Sequence, residues 1–254
     1  MPYVEVGGEK VFYLASPAVP ASGKAVVLVH GAGGSCQRWL PQFNFLSRRY
    51  PVVVPDLPGH GRSGGQPCRD IAAGAEWLAG FLKDAGLEQA VVGGHSMGGA
   101  VALALALRGW PGLAGLMLVA TGARLKVGPW FLTSLAAGAY PEAFLDWLYG
   151  PRAGDDLLQA AASELQTTDP ALYLADFSAG DGFDCRQELE RIVVPSLIIV
   201  GSEDRMTPVK YSSYLAENLA EARLTVIPGA GHMVMLEKPE ETNMAMDDFL
   251  AGLF

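Results

Sequence analysis

An α/β fold, with a mostly parallel sheet of eight strands and helices on both faces, is what the sequence predicts. Three observations predict it. Short β-branched runs alternate with longer amphipathic stretches, the pattern of strand–helix–strand units. Runs such as Ala25–Val29 (AVVLV) are continuously apolar, as strands buried on both faces are. The chain has 254 residues, half of them hydrophobic and 18% charged, enough to bury a sizeable core.

Taken in order, Tyr3–Val6 and Val11–Leu14 flank the pair Gly7-Gly8 and read as a hairpin, which would form an antiparallel edge. Ala25–Val29 is the first buried strand. A helix is expected over Cys36–Arg48, with Trp39, Phe43 and Leu46 on one face, and Val52–Val54 is the next strand. Within Arg69–Ala85, Ile71, Ala75, Leu78 and Leu82 recur at helical spacing. Ala90–Gly93 is a strand. Met97–Arg108 is a helix apolar nearly all round, which places it inside the protein. Leu113–Ala120 and Leu197–Val200 are strands, Val209–Leu219 a helix, Leu224–Ile227 a strand and Pro239–Leu253 the last helix.

Between Gly122 and Glu190 the rhythm breaks. Pro129, Pro141, Pro151 and Pro170 divide this stretch into short helical pieces that carry Trp130, Phe131, Phe144, Trp147, Tyr149, Tyr173 and Phe177. A simple crossover does not need these aromatics. The stretch reads as a helical cap at 122–190, inserted into a core made of 1–121 and 191–254.

The 27 acidic residues outnumber the 18 basic ones, for a net charge of −9, and no basic run occurs. That argues against nucleic acid as a partner, because binding phosphates requires clustered Lys and Arg. Three cysteines, Cys36, Cys68 and Cys185, with no CxxC pair, fit neither a disulfide framework nor a zinc site. The start, MPYVEVGGEK, lacks the basic and apolar regions of a signal peptide. The longest apolar run, Ala100–Leu107, is too short to span a bilayer. A cytoplasmic protein is expected, monomeric or homodimeric, with no metal and no organic cofactor.

The chemistry centres on Gly94-His95-Ser96-Met97-Gly98-Gly99. It sits between a strand and a helix, the context that a G-x-S-x-G nucleophile turn requires. Gly94 and Gly98 make room for the turn, which raises the Ser96 hydroxyl at a helix N-terminus, where negative charge is favoured. A serine hydroxyl is a weak nucleophile until a base takes its proton. In this strand–turn–helix arrangement the acid and then the base follow the serine along the chain. Of His30, His60, His95 and His232, only His232 follows Ser96, in the loop 229–232 after a strand. The acid should sit on a loop after another strand, which leaves Glu203 and Asp204 as candidates.

An oxyanion needs preorganised N–H donors. The residue after the nucleophile, Met97, supplies one. Ala32 is the choice for the second, from the glycine-rich loop His30-Gly31-Ala32-Gly33-Gly34. The spacing of a phosphate-binding loop is absent there. His30 is expected to brace this loop, and Asp56–Ser63 to be a structural turn beside it.

These blocks together, HGAGG at 30–34, DLPGHGRS at 56–63, GHSMGG at 94–99, GSEDRMTP at 201–208 and GAGH at 229–232, resemble the α/β-hydrolase fold superfamily, in its branch of small bacterial carboxylesterases and C–C bond hydrolases with helical caps. The resemblance implies Ser96 as nucleophile, Asp204 as acid, His232 as base, and oxyanion donors at Ala32 and Met97. It implies a serine hydrolase that cleaves small to medium acyl esters through an acyl-enzyme. The alternatives are a C–C hydrolase or lactonase using the same residues, or a binder without activity. The superfamily's dehalogenases and epoxide hydrolases carry Asp where this chain has Ser96, which argues against both activities. Trp130, Phe144 and Trp147 are expected to line an apolar substrate pocket, the alternative for each being that it only fastens the cap to the core. Arg124 and Lys126 are possible anchors for a substrate carboxylate, or solvated charges at the base of the cap.

Overall fold

Val and Leu alternate between two cores within a single strand. Ala25, Val27 and Val29 face one hydrophobic cluster, while Val26 and Leu28 face another. Each residue of such a strand is therefore apolar. The computed structural model describes residues 3–16 and 23–254. Eight strands form one sheet: β1 (Tyr3–Val6), β2 (Glu9–Ala15), β3 (Lys24–Val29), β4 (Val52–Pro55), β5 (Gln89–His95), β6 (Leu113–Val119), β7 (Ser196–Gly201) and β8 (Ala222–Ile227). Their spatial order is β1-β2-β4-β3-β5-β6-β7-β8. The β1–β2 and β2–β4 pairs are antiparallel, and all the other pairs are parallel.

The helices of the core are α1 (Leu40–Leu46), α2 (Ile71–Asp84), α3 (Met97–Leu107), and, after the insert described below, the helices that follow β7. Residues of α2 and α3 pack into one cluster with Val27 and Val92, and Leu46 of α1 into the other with Leu28 and Val91, so helices cover both faces. Asp70 caps α2, its side chain accepting the Ala73 N–H at 2.7 Å, so this helix starts two residues later than Arg69. The helix expected over Cys36–Arg48 is instead a 3₁₀ turn, Cys36–Trp39, followed by α1. Pro41 is the reason. It has no N–H to give to a helical carbonyl, and it is tolerated only in the first turn of a new helix.

Between β6 and β7 lie α4 (Pro129–Ala136), α5 (Phe144–Leu148), α6 (Asp155–Thr167) and α7 (Pro170–Asp181). The chain leaves and returns through a short stem: Leu125 N–H donates to the Phe183 carbonyl at 3.2 Å and Cys185 N–H to the Ala123 carbonyl at 2.8 Å. After β7 come α8 (Val209–Asn218), α9 (Val234–Glu237) and α10 (Pro239–Leu250). The strand order reverses about β3: one connection leads to β4 on one side and the next to β5 on the other. In open parallel sheets the crevice at such a switch point, outside the strand C-termini, is where ligands bind. Among the described residues no helix is long and apolar enough to cross a membrane.

Candidate active site

Ser96 lies at that crevice, between β5 and α3, with φ 52° and ψ −116°. A side chain on Gly94 would put its Cβ 2.1 Å from the Gly98 carbonyl oxygen, and one on Gly98 would lie 2.4 Å from that of Val29. The turn closes only because both are glycine. It is held from outside as well. Ser96 N–H donates to the Val119 carbonyl at 2.9 Å, and Thr121 Oγ1 donates to the Ser96 carbonyl at 2.7 Å.

The loops after β7 and β8 bring an acid and a base together. Gly201 leaves room for the Ala230 carbonyl, which a Cβ there would meet at 2.2 Å, and Glu203 N–H donates to that carbonyl at 2.9 Å. His232 Nδ1 and Asp204 Oδ2 are 2.9 Å apart, both residues buried. Asp204 is fully engaged: Oδ1 accepts the N–H groups of Met206 and Thr207, each at 2.8 Å, and Oδ2 accepts the Thr207 hydroxyl at 2.8 Å. Of the two acids left open by the loop sequence, it is Asp204 that meets His232. Glu203 is exposed and accepts from the Ser202 hydroxyl. His95 lies beneath, its ring 4.7 Å from that of His232, and Nε2 donates to the His232 carbonyl at 3.0 Å. Burial, and then the proximity of His232, lowers the pKa of His95 well below that of a free histidine, so it is neutral.

Two chambers meet at Ser96 and Ala32. The larger, of about 240 Å³, is walled by Met97, Leu125, Val127, Trp130, Phe131, Trp147 and Phe177, with Lys126, Asp176, Arg205 and Tyr211 among its polar atoms. The smaller, of about 20 Å³, is bordered by His232, Gly31, Arg38 and His95. Among the described residues, neither Ala32 N–H nor Met97 N–H donates to another protein group. Ala32, Met97 and Ser96 share the wall of the larger chamber, and Ala32, Ser96 and His232 that of the smaller one.

Trp130 and Trp147 stand on the larger chamber's wall, their rings in edge contact at 5.1 Å. Phe144 does not. It is buried behind Phe131 and Phe177 and packs on Tyr140 and Tyr173. It faces inward because the short helix α5 turns that face onto α4 and α7. Lys126 reaches the chamber but pairs with Asp181 at 2.9 Å. Arg124 lies outside it, 3.8 Å from Asp184.

His30 braces the loop, accepting Leu57 N–H at Nε2 (3.0 Å) while Nδ1 donates to the Gly31 carbonyl (2.9 Å). Burial pushes its pKa down to about 3. The 56–63 stretch is a turn tied by Asp56, which accepts the N–H groups of Cys36 and Arg62. Burial pushes the Cys36 thiol up to about 12. Sequence reasoning missed Asp176, a buried carboxylate on α7 that reaches the chamber wall. The one local signal was an acid in the otherwise apolar run Ala171–Phe177.

The alpha/beta hydrolase family profile matches residues 26–245. A pimeloyl-[acyl-carrier protein] methyl ester esterase of Neisseria meningitidis serogroup B is 30% identical over 92% of this chain and 96% of its own. The dihydrolipoyllysine-residue acetyltransferase component of an acetoin cleaving system of Pseudomonas putida is 30% identical over 98% of this chain, which spans 66% of that longer protein. The solved structure of a thermophilic esterase is 31% identical, with a TM-score of 0.84 over 99% of this chain and 97% of that one. With matching spanning nearly the whole sheet and site, the chain belongs to the alpha/beta hydrolase family.

Proposed function

We propose that the protein is a carboxylesterase that works through an acyl-enzyme on Ser96, with 122–190 as a cap domain over the core. The observation that carries this is the buried His232–Asp204 pair at 2.9 Å, on a chamber shared with Ser96. Ser96 Oγ attacks the ester carbonyl while His232 Nε2 takes its proton. Asp204 keeps the His232 proton on Nδ1 and stabilises the imidazolium that forms. The N–H groups of Ala32 and Met97 receive the charge on the carbonyl oxygen; the loss of one such donor costs about 3 to 4 kcal/mol of transition-state stabilisation. His232 then protonates the departing alkoxide and activates water to release the acid.

The two chambers differ in what they admit. The alkoxide must leave beside His232, which borders the smaller one. A volume of about 20 Å³ holds a group the size of a water or two. The acyl chain then occupies the apolar chamber of about 240 Å³. This reading favours methyl and ethyl esters of medium acyl chains, in keeping with the methyl ester esterase among the relatives.

The test is acid release from methyl esters of increasing acyl length, with butyl esters of the same acids and Ser96→Ala alongside. Turnover of the methyl series, lost in Ser96→Ala and weaker on butyl esters, supports the reading. Labelling of Ser96 by a fluorophosphonate without turnover of any ester would move the assignment to lactone or C–C substrates.

A further inference from the structure

His60, on the turn after β4, and Asp176, on the cap helix α7, form a buried pair that the proposed reaction does not use. His60 Nε2 lies 2.8 Å from Asp176 Oδ2, and the same oxygen accepts the N–H of Gly33 at 2.7 Å. Both side chains are almost wholly buried, at 1% and 2% exposure. Gly33 directly follows Ala32. Tyr173, one turn before Asp176, lies so close that a Cβ on Gly33 would sit 2.2 Å from its ring, and Gly33 has φ +60°. One face of α7 thus rests on the oxyanion loop by both a ring and a carboxylate.

The second ring nitrogen of His60 also faces an acceptor: Nδ1 is 2.9 Å from the Pro58 carbonyl. A neutral imidazole has one N–H and cannot donate to both. With both ring nitrogens donating, the pair holds an extra proton, as an imidazolium against a carboxylate. Other groups facing His60 are the His30 ring at 5.0 Å, which burial keeps neutral, and the Asp56 carboxylate. Cys68 and Asp70 border the small void beneath the pair. Burial lowers the pKa of His60, but the hydrogen bond to Asp176 and the charge of Asp176 more than offset this, so its pKa is raised above that of a free histidine.

We propose that Asp176 and His60 are positioning residues: a charged clamp that fixes the oxyanion loop through Gly33 N–H, so that the cap completes the oxyanion hole rather than only walling the pocket. The proposal rests on the reading of Ala32 N–H as an oxyanion donor. Asp176→Asn cannot restore the clamp. An amide oxygen facing both Gly33 N–H and His60 Nε2–H leaves Nδ1 bare against the Pro58 carbonyl, and an amide nitrogen there opposes the Gly33 N–H. His60→Gln removes the cation and leaves the carboxylate buried without a counter-charge, held by the Gly33 N–H.

The experiment measures the rate at which a fluorophosphonate labels Ser96 in the wild type, Asp176→Asn and His60→Gln, because its phosphoryl oxygen occupies the oxyanion position. Thermal unfolding is followed in parallel, and ¹⁵N-histidine NMR of the wild type reads the His60 ring. A loop shifted by an ångström or less should slow labelling by about 10- to 100-fold in both folded variants. The wild-type rate should fall as the pH rises past the point at which His60 loses its proton, a fall absent from His60→Gln. The NMR should show both His60 nitrogens protonated at pH 7. Equal labelling rates per folded molecule, even with a lowered melting temperature, would overturn the proposal and leave the pair a structural tie. A single ring proton on His60 would overturn it too, and that readout and the wild-type pH profile need no variant. A wild type that takes no label would instead refute the esterase reading, while the NMR would still decide whether the clamp is charged.

Discussion

Ser96 holds a backbone conformation, φ 52°, that few residues other than glycine adopt, and the neighbouring glycines are what make it tolerable. In Gly94→Ala the new methyl group would meet the Gly98 carbonyl at 2.1 Å, backbone against backbone, with no side chain able to yield. The loss of stability should reach the upper range for point substitutions, about 3 kcal/mol or more, read as a fall in the urea midpoint. A variant as stable as the wild type would mean that the turn relaxes by some other route. Asp204 poses a different question. Its two oxygens already accept two N–H groups and a hydroxyl besides facing His232 Nδ1, so Asp204→Asn must turn its amide nitrogen toward at least one donor. The two backbone N–H groups keep the amide oxygen at the Oδ1 position, so the nitrogen faces His232, the imidazole loses its orienting acceptor in the proposed reaction, and kcat should fall by about 10³- to 10⁴-fold with the fold intact. A kcat within tenfold of wild type would rule out the orienting role proposed for Asp204.

At the scale of elements, the insert's aromatic residues divide into two populations that composition alone cannot separate. Phe144 is 1% exposed and in contact with four other rings, whereas Trp147 reaches the larger chamber and Trp130, 56% exposed, stands at its rim. Phe144→Ala should therefore destabilise the protein by about 3 to 5 kcal/mol and leave the acyl-length preference of the folded fraction alone. Trp147→Ala should do the reverse, shifting the preference toward longer chains with a small change in melting temperature. Acyl-length profiles that move together in both variants would contradict the division. The strands were legible in the sequence because burial on both faces forces continuous Val, Ile and Leu, and the serine turn because its geometry tolerates only glycine at fixed places. Phe144 was not legible, since α5 has only five residues and shows too little periodicity to say which face turns inward. Asp176 was not legible either. Its meaning lies in a contact with His60, 116 residues away along the chain, and in the α7 packing that brings the two together.

For the molecule as a whole, two buried neutral histidines set the response to acid. Burial lowers the pKa of His30 to about 3 and holds that of His95 well below 6.5, while in the unfolded chain both would titrate near 6.5. Above that pH neither state binds the protons and nothing changes. As the pH falls below 6.5 the unfolded chain takes up two protons that the folded chain refuses, so stability must drop, by at most about 2.7 kcal/mol per pH unit. His60 works with the opposite sign: its pKa is raised, so its contribution is whole below 6.5 and is lost as the pH rises through its folded value. Glu237, whose carboxyl is pushed up by burial, trims the drop on the acid side. Urea unfolding should therefore give a lower stability at pH 5 than at pH 7, by less than about 4 kcal/mol because His60 and Glu237 offset part of the drop. Equal stability at the two pH values would require His30 or His95 to take a proton without unfolding. For His30 that outcome has a structural consequence that can be checked separately. A protonated Nε2 cannot accept the Leu57 N–H, so the tie between the loops after β3 and β4 would have to break, and amide exchange at Leu57 would rise on acidification while the protein stayed folded.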